Sequence, residues 1–145
     1  MKKIRKELFE TNSSSSHSLV ISNKPEIIND GTIIPDEEGI VYLNGGQFGW
    51  GYEKYADALT KANYCAVDAM YYESESRIDN IKEAICNIVK CSNVQFNFSF
   101  DYDDSNWSYI DHQSLGTSTD ELYSVADYEN FIFNPNCKLI LDNDN

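Results

Sequence analysis

Residues 55–102 read YADALTKANYCAVDAMYYESESRIDNIKEAICNIVKCSNVQFNFSFDY, and the apolar period changes twice within them. From Tyr55, the residues Ala58, Leu59, Ala62, Ala66, Ala69 and Met70 recur at helical spacing, with Lys54, Asp57, Lys61 and Asp68 off that stripe. This predicts an amphipathic helix packed on one face. A second helix is expected through Ile78, Ile81, Ile85, Ile88 and Val89, opened by Ser76 with Asp79 three residues on, a capping-box pattern. The period then drops to two: Val94, Phe96, Phe98, Phe100 and Tyr102 alternate with Gln95, Asn97, Ser99 and Asp101, which reads as a half-buried strand. Two adjacent helices followed by a strand point to an α-hairpin laid on a sheet.

Working outward, Leu8-Phe9, Leu19-Val20-Ile21, Ile33-Ile34 and Ile40-Val41-Tyr42-Leu43 read as short strands, with a turn at 35–39. Toward the C-terminus, Phe131-Ile132-Phe133 and Lys138–Leu141 flank Asn134-Pro135-Asn136-Cys137 and read as a hairpin. With no internal repeat and no linker, the expectation is one α+β domain over residues 1–145, mainly antiparallel sheet packed against a two-helix hairpin. A chain of 145 residues buries roughly two-thirds of its unfolded surface around one core.

The net charge is −13 and unevenly placed. Residues 1–30 carry five Lys/Arg against four Asp/Glu, 31–100 five against ten, and 101–145 one against ten. Such a field repels phosphate backbones, which argues against direct binding of DNA or RNA. It would attract a basic groove on another protein; surplus carboxylates also serve simply as solubilising charge. The longest apolar runs fall far short of a membrane span, and Met1–Lys6 is followed by Glu7-Leu8-Phe9-Glu10 rather than an apolar core, so neither a membrane anchor nor a secretory signal is expected. Cys65, Cys86, Cys91 and Cys137 include no C-x-x-C and are read as free thiols in a cytoplasmic protein.

Four polar segments could carry chemistry. Thr11–Ser18 surrounds His17 with hydroxyls and amides; such a run makes turns and caps, or a polar nest for an anion or metal. Gly45–Tyr52 holds four glycines and three aromatics without the spacing of a dinucleotide fingerprint or P-loop, and reads either as a core-covering loop or as an aromatic contact surface. The third segment, Asp101, Asp103 and Asp104 with Asp111-His112 beyond, lacks the glycine and glutamate of an EF-hand. The fourth, Leu141–Asn145, is a frayed end or a source of Asp142 for a shared site. Were the fold to join His17 to His112, the two imidazoles with Asp111, or with Cys65, Cys86, Cys91, Cys137 or Asp142, would suit zinc. No nucleophile elbow, H-E-x-x-H or interpretable carboxylate pair occurs.

The segment Phe9-Glu10-Thr11-Asn12-Ser13-Ser14-Ser15-Ser16-His17-Ser18, with Gly45-Gly46-Gln47-Phe48-Gly49-Trp50, Asp111-His112-Gln113-Ser114, Asn134-Pro135-Asn136 and Asp142-Asn143-Asp144, resembles an uncharacterised family of small proteins from bacteriophages, prophages and related mobile elements. In size and acidity the chain also resembles anti-CRISPR proteins. The resemblance implies a mobile-element context, and with it an inhibitor that occupies the basic nucleic-acid channel of a host CRISPR effector nuclease and blocks loading. In that reading Asp101, Asp103, Asp104, Asp120, Glu121, Asp127 and Glu129 form the acidic face, with Trp107 and Tyr109 as anchors. Two rivals stand beside it: a zinc-dependent hydrolase using His17, Asp111 and His112, and a phage structural or assembly protein.

Overall fold

The computed structural model describes residues 15–49, 52–111 and 119–143. In chain order the elements are β1 (Ser15–Val20), β2 (Ile40–Leu43), β3 (Gln47–Phe48), β4 (Glu53–Tyr55), α1 (Ala58–Tyr71), α2 (Glu75–Val89), β5 (Asn93–Phe96), β6 (Tyr109–Ile110), α3 (Val125–Phe133) and β7 (Lys138–Asn143). The chain is α+β. Among the described residues the largest sheet is antiparallel, ordered β1-β7-β4, and the other strands form two parallel pairs, β2–β5 and β3–β6.

Strand alternation decides which residues of the antiparallel sheet face inward. His17 and Leu19 of β1 lie opposite Leu141 and Leu139 of β7, and His17, Leu139 and Leu141 are all buried. In the parallel pairs the same rule buries Val41 and Leu43 of β2, Val94 of β5, Phe48 of β3 and Ile110 of β6. These side chains join Ala62, Ala66, Ala69, Ile81, Ile85, Phe131 and Ile132 in one hydrophobic cluster between strands and helices.

Helix α1 starts where three separate oxygens meet its orphan N–H groups. Asp57 Oδ2 accepts from Thr60 N at 2.9 Å, Asp30 Oδ2 from Ala58 N at 2.9 Å, and Thr32 Oγ1 from Leu59 N at 3.0 Å. The loop carrying Asp30 and Thr32 is thereby a distant cap. Three residues join α1 to α2, which Ser74 caps by accepting from Arg77 N, and α3 packs against both helices. Lys90 ends α2 in the left-handed conformation at φ 65°, and its N–H returns to Cys86 O.

Several sequence expectations are corrected. The cap of α2 is Ser74 and not Ser76. Tyr55 belongs to β4, and α1 begins only at Ala58. Ile33-Ile34 forms no strand; Ile33 is a core residue in a loop and Ile34 is exposed. Phe131-Ile132-Phe133 is the last turn of α3 rather than a hairpin strand, because Ser124 and Asp127 form a reciprocal capping box that starts a helix six residues earlier. Leu8-Phe9 lies outside the described residues. Lys61 and Asp68, placed by their polarity off the packed face of α1, are both buried there.

Candidate functional site

Strand β5 ends at Phe96, and the alternating aromatic run continues past it in irregular backbone that turns back at residues 101–107. Asp101 Oδ1 accepts from Asp103 N at 3.0 Å and Asp104 Oδ1 from Asn106 N at 2.8 Å, while Asp104 Oδ2 accepts the Ser99 hydroxyl at 2.8 Å. Each is an Asp closing a turn on the backbone two residues ahead. The Asn106 amide and the Ser99 hydroxyl hold the Asp104 carboxyl below its usual range, so it stays ionised further into acid. Ser99 then bridges to Trp107, with Ser108 N donating to Ser99 O at 2.9 Å.

This turn carries aromatic rings on both flanks. Tyr102 meets Trp107 edge-on at 4.7 Å between centroids, and Trp107 stacks on Tyr109 at 5.2 Å. On the other flank Phe96, Phe98 and Phe100 follow one another at 6.0 and 6.3 Å, and Phe100 continues to Tyr71 and Tyr72 at the end of α1. Tyr102 is 76% exposed, Tyr71 50%, Tyr72 51% and Phe100 40%. Asp101, Asp103 and Asp104 are themselves exposed. The result is an acidic turn set among partly exposed rings, an arrangement able to receive a cation on its carboxylates and its aromatic faces together.

The structure therefore gathers Asp101, Asp103, Asp104, Trp107 and Tyr109 in one place. Asp120 is connected to the same region through Tyr72, whose phenol is raised by desolvation and then by the negative charges of Asp68 and Asp120 among its neighbours. Glu121 is exposed beside Asp120. Asp127 is committed to the α3 cap, accepting from Tyr123 N and Ser124 N, and Glu129 accepts from Asn87 of α2 at 2.8 Å. Those last two carboxylates thus sit at local structural contacts. Tyr71, Tyr72, Phe100 and Tyr102 were not singled out as contact residues from the sequence; the alternation that marked Phe100 and Tyr102 as a core stripe concealed that β5 ends at Phe96.

The second polar region surrounds His17. Its Nδ1 lies 3.0 Å from the Tyr64 hydroxyl and its Nε2 3.0 Å from Gly49 O. A carbonyl only accepts, so Nε2 carries the proton and, in the neutral ring, Nδ1 accepts from Tyr64. Burial lowers the His17 pKa, against the Gly49 hydrogen bond and the nearby Asp111 charge, which raise it. A Cβ at Gly49 would meet the Tyr109 hydroxyl and ring, so a larger residue there would make the Tyr109 side chain shift. Glycine serves the backbone differently at Gly45, where φ is +77° and a Cβ would collide with Ser108 and Phe98. The glycine segment thus covers the core through Phe48 while bringing its backbone against β6; Trp50 lies outside the described residues.

Segments far apart in sequence do converge here: β1 supplies His17, the glycine loop supplies Gly49, and Asp111 follows β6. His112, with Gln113 and Ser114, lies outside the described residues. Among the described residues no group of three or more His, Cys, Asp or Glu side chains could hold a metal ion. Any metal on His17 would have to displace the Tyr64 or the Gly49 partner. Cys65 and Cys137 are buried, Cys65 with its thiol pKa pushed up by burial and Cys137 accepting from Ser22 N at 3.2 Å. Cys86 and Cys91 are half-buried at the end of α2, with the Cys91 thiol pushed up to about 12 by burial and by its contact with Cys86. Asp142, on β7 opposite Ser16, is exposed. No described helix is long and apolar enough to cross a membrane.

Compared with family models, curated proteins and solved structures, the chain shows no match.

Proposed function

We propose that this chain is a binding protein that docks the acidic aromatic turn at 101–109 on a basic nucleic-acid channel of another protein, as a mobile-element inhibitor of a CRISPR effector nuclease. The observation that carries the reading is the placement of Asp101, Asp103 and Asp104 on one exposed turn between Tyr102–Trp107–Tyr109 and the Phe100–Tyr71 rings. Carboxylates steer the encounter with arginine and lysine side chains, and the rings supply the desolvated contact area that holds the complex. The mobile-element context comes from the resemblance of the Phe9–Ser18 segment.

The test is guide-RNA loading onto purified CRISPR effector nucleases, followed by fluorescence polarisation with the chain added beforehand. Wild type lowers loading, and the inhibition weakens as salt rises. Charge reversal at Asp101, Asp103 and Asp104 together slows association by about tenfold or more. Trp107→Ala loosens the complex by about tenfold, at a cost of about 1.4 kcal/mol. Loading that proceeds unaffected by wild type, or inhibition indifferent to salt and to charge reversal, would overturn the proposal.

A further inference from the structure

Of the four cysteines, two meet. Cys86 Sγ and Cys91 Sγ stand 2.9 Å apart, although five residues along an uninterrupted helix would separate them by about 7.5 Å of rise and place them on different faces. The approach is made by the end of α2. Lys90 adopts φ 65° and ψ 45°, its N–H bonds Cys86 O at 2.9 Å, and the chain folds back over the last turn. Beyond Cys91 the backbone is fixed again: Ser92 N donates to Gly39 O at 2.8 Å, and the Ser92 hydroxyl reaches Glu38 O and Gly39 O. Both thiols are thus held by ordered backbone on either side.

Accessibility separates this pair from the other two cysteines. Cys65 is 2% exposed and Cys137 0%, whereas Cys86 and Cys91 are both partly open to solvent. A dissolved oxidant reaches one pair and not the other.

We propose that Cys86 and Cys91 form a reversible intramolecular disulfide, a redox-closable staple between the end of α2 and the start of β5, with a low-molecular-weight disulfide such as oxidised glutathione as co-reactant. One protein sulfur attacks a glutathione sulfur, forming a mixed disulfide and releasing one reduced glutathione. The second protein sulfur attacks the first, the new Cys86–Cys91 bond forms, and a second reduced glutathione leaves. The two thiol protons and two electrons of the protein end on the two glutathione thiols. Closure ties the α2 cap to the strand that leads into Phe96, Phe98 and Phe100, so the staple lies at the root of that aromatic run. This inference stands on the thiol geometry and is independent of the binding function.

The experiment treats the full chain with oxidised glutathione and follows intact mass, peptide mapping and thermal unfolding. The expected product is a monomer lighter by two hydrogens, with the bond mapped to Cys86 and Cys91 and the unfolding midpoint raised. Reduced glutathione in excess restores the original mass. A chain with Cys65→Ala and Cys137→Ala still closes, and mapping of the wild type decides the matter should that double variant fold poorly. A persistent glutathione adduct, a disulfide-linked dimer, a bond to Cys65 or Cys137, unreacted thiols, or a lowered midpoint would each overturn the proposal.

Discussion

Helices α1 and α2 are close in length, 14 and 15 residues, yet ten residues of α1 are buried and only three of α2. Helix α2 behaves as its apolar stripe demands: Ile81, Ala84 and Ile85 are buried in the core, Ile78, Cys86, Ile88 and Val89 pack against it half-buried, and the opposite face is open to solvent. Helix α1 is enclosed, and the polar side chains on it point into protein. Lys61 reaches the turn after α3, Asn63 Oδ1 accepts from Gly45 N, Tyr64 meets His17 of β1, and Asp68 meets Arg77 and Thr119. Five separate chain segments are therefore fastened to one helix by four of its side chains, whose loss leaves buried partners unsatisfied. Buried polar contacts of this kind are expensive to break and weak evidence for net stabilisation while intact.

The largest effect is expected at Lys61. It is 0% exposed, and its Nζ donates to Asn134 O and Cys137 O, both at 2.9 Å. Lys61→Ala removes both donors and opens a cavity, at a cost of about 3–5 kcal/mol in denaturant unfolding. Burial lowers its pKa from 10.5 to about 8. Below pH 8 the amine is protonated whether the chain is folded or not. Between about 8 and 10.5 the unfolded chain keeps a proton that the folded chain has released, so this residue adds stability as pH rises. Wild type should accordingly gain about 2 kcal/mol on Lys61→Met between pH 8 and 9.5, measured as the difference of the two unfolding curves. A flat difference would remove the charged, desolvated amine from the account.

Asp68 comes next. The Thr119 hydroxyl donates to its Oδ2 at 2.5 Å, and Arg77 reaches the same oxygen at 3.3 Å and the Thr119 oxygen at 2.9 Å. Asp68→Asn keeps the shape but removes the charge that compensates Arg77, which is 23% exposed and can partly rehydrate. The expected loss is about 2–3 kcal/mol. A double-mutant cycle with Arg77→Met checks the assignment: a coupling energy near zero would mean that the three groups are neighbours and not a network.

The same two helices mark where sequence reading succeeds and where it stops. The stripe of α2 was legible because one of its faces really is wet, so polarity and burial agree. On α1 they disagree: Lys61 and Asp68 look like solvent residues and are buried because partners distant in sequence, at 119 and 134–137, close over them. The capping signal Ser124-x-x-Asp127 was present for α3, but Phe131-Ile132-Phe133 reads equally as a buried strand, and a short apolar run does not separate those alternatives. At the candidate site the carboxylates Asp101, Asp103 and Asp104 and the anchors Trp107 and Tyr109 were legible as composition. Their union with Tyr71 and Phe100 depends on where the end of α1 lies, which no local pattern encodes.

A smaller effect is expected at the Tyr64 contact. Tyr64→Phe leaves His17 Nδ1 without the hydroxyl it accepts from, at about 1–2 kcal/mol. Because burial lowers the His17 pKa below 6.5, the unfolded chain takes up a proton there before the folded chain does. This residue's contribution to stability is therefore present above pH 6.5 and falls as the pH drops toward the folded value. His17→Gln should flatten that part of the acid limb relative to wild type. An unchanged limb would assign the acid sensitivity to other groups.

The smallest effect tests the comparison most directly, because it makes the same edit on the other helix. Lys82 of α2 lies with its Nζ 5.3 Å from the Phe96 ring centroid, as the Lys61 Nζ lies 5.4 Å from that of Phe131. Judged by the ring contact alone, the two lysines would be equivalent. Their surroundings differ: the Lys82 side chain is partly open to water, whereas Lys61 donates to two carbonyls in the core. Lys82→Ala should then cost only about 0.5–1 kcal/mol, several-fold less than Lys61→Ala under the same conditions. Similar losses at both positions would mean that the cation–ring contact governs, and that enclosure of α1 does not distinguish the two helices energetically.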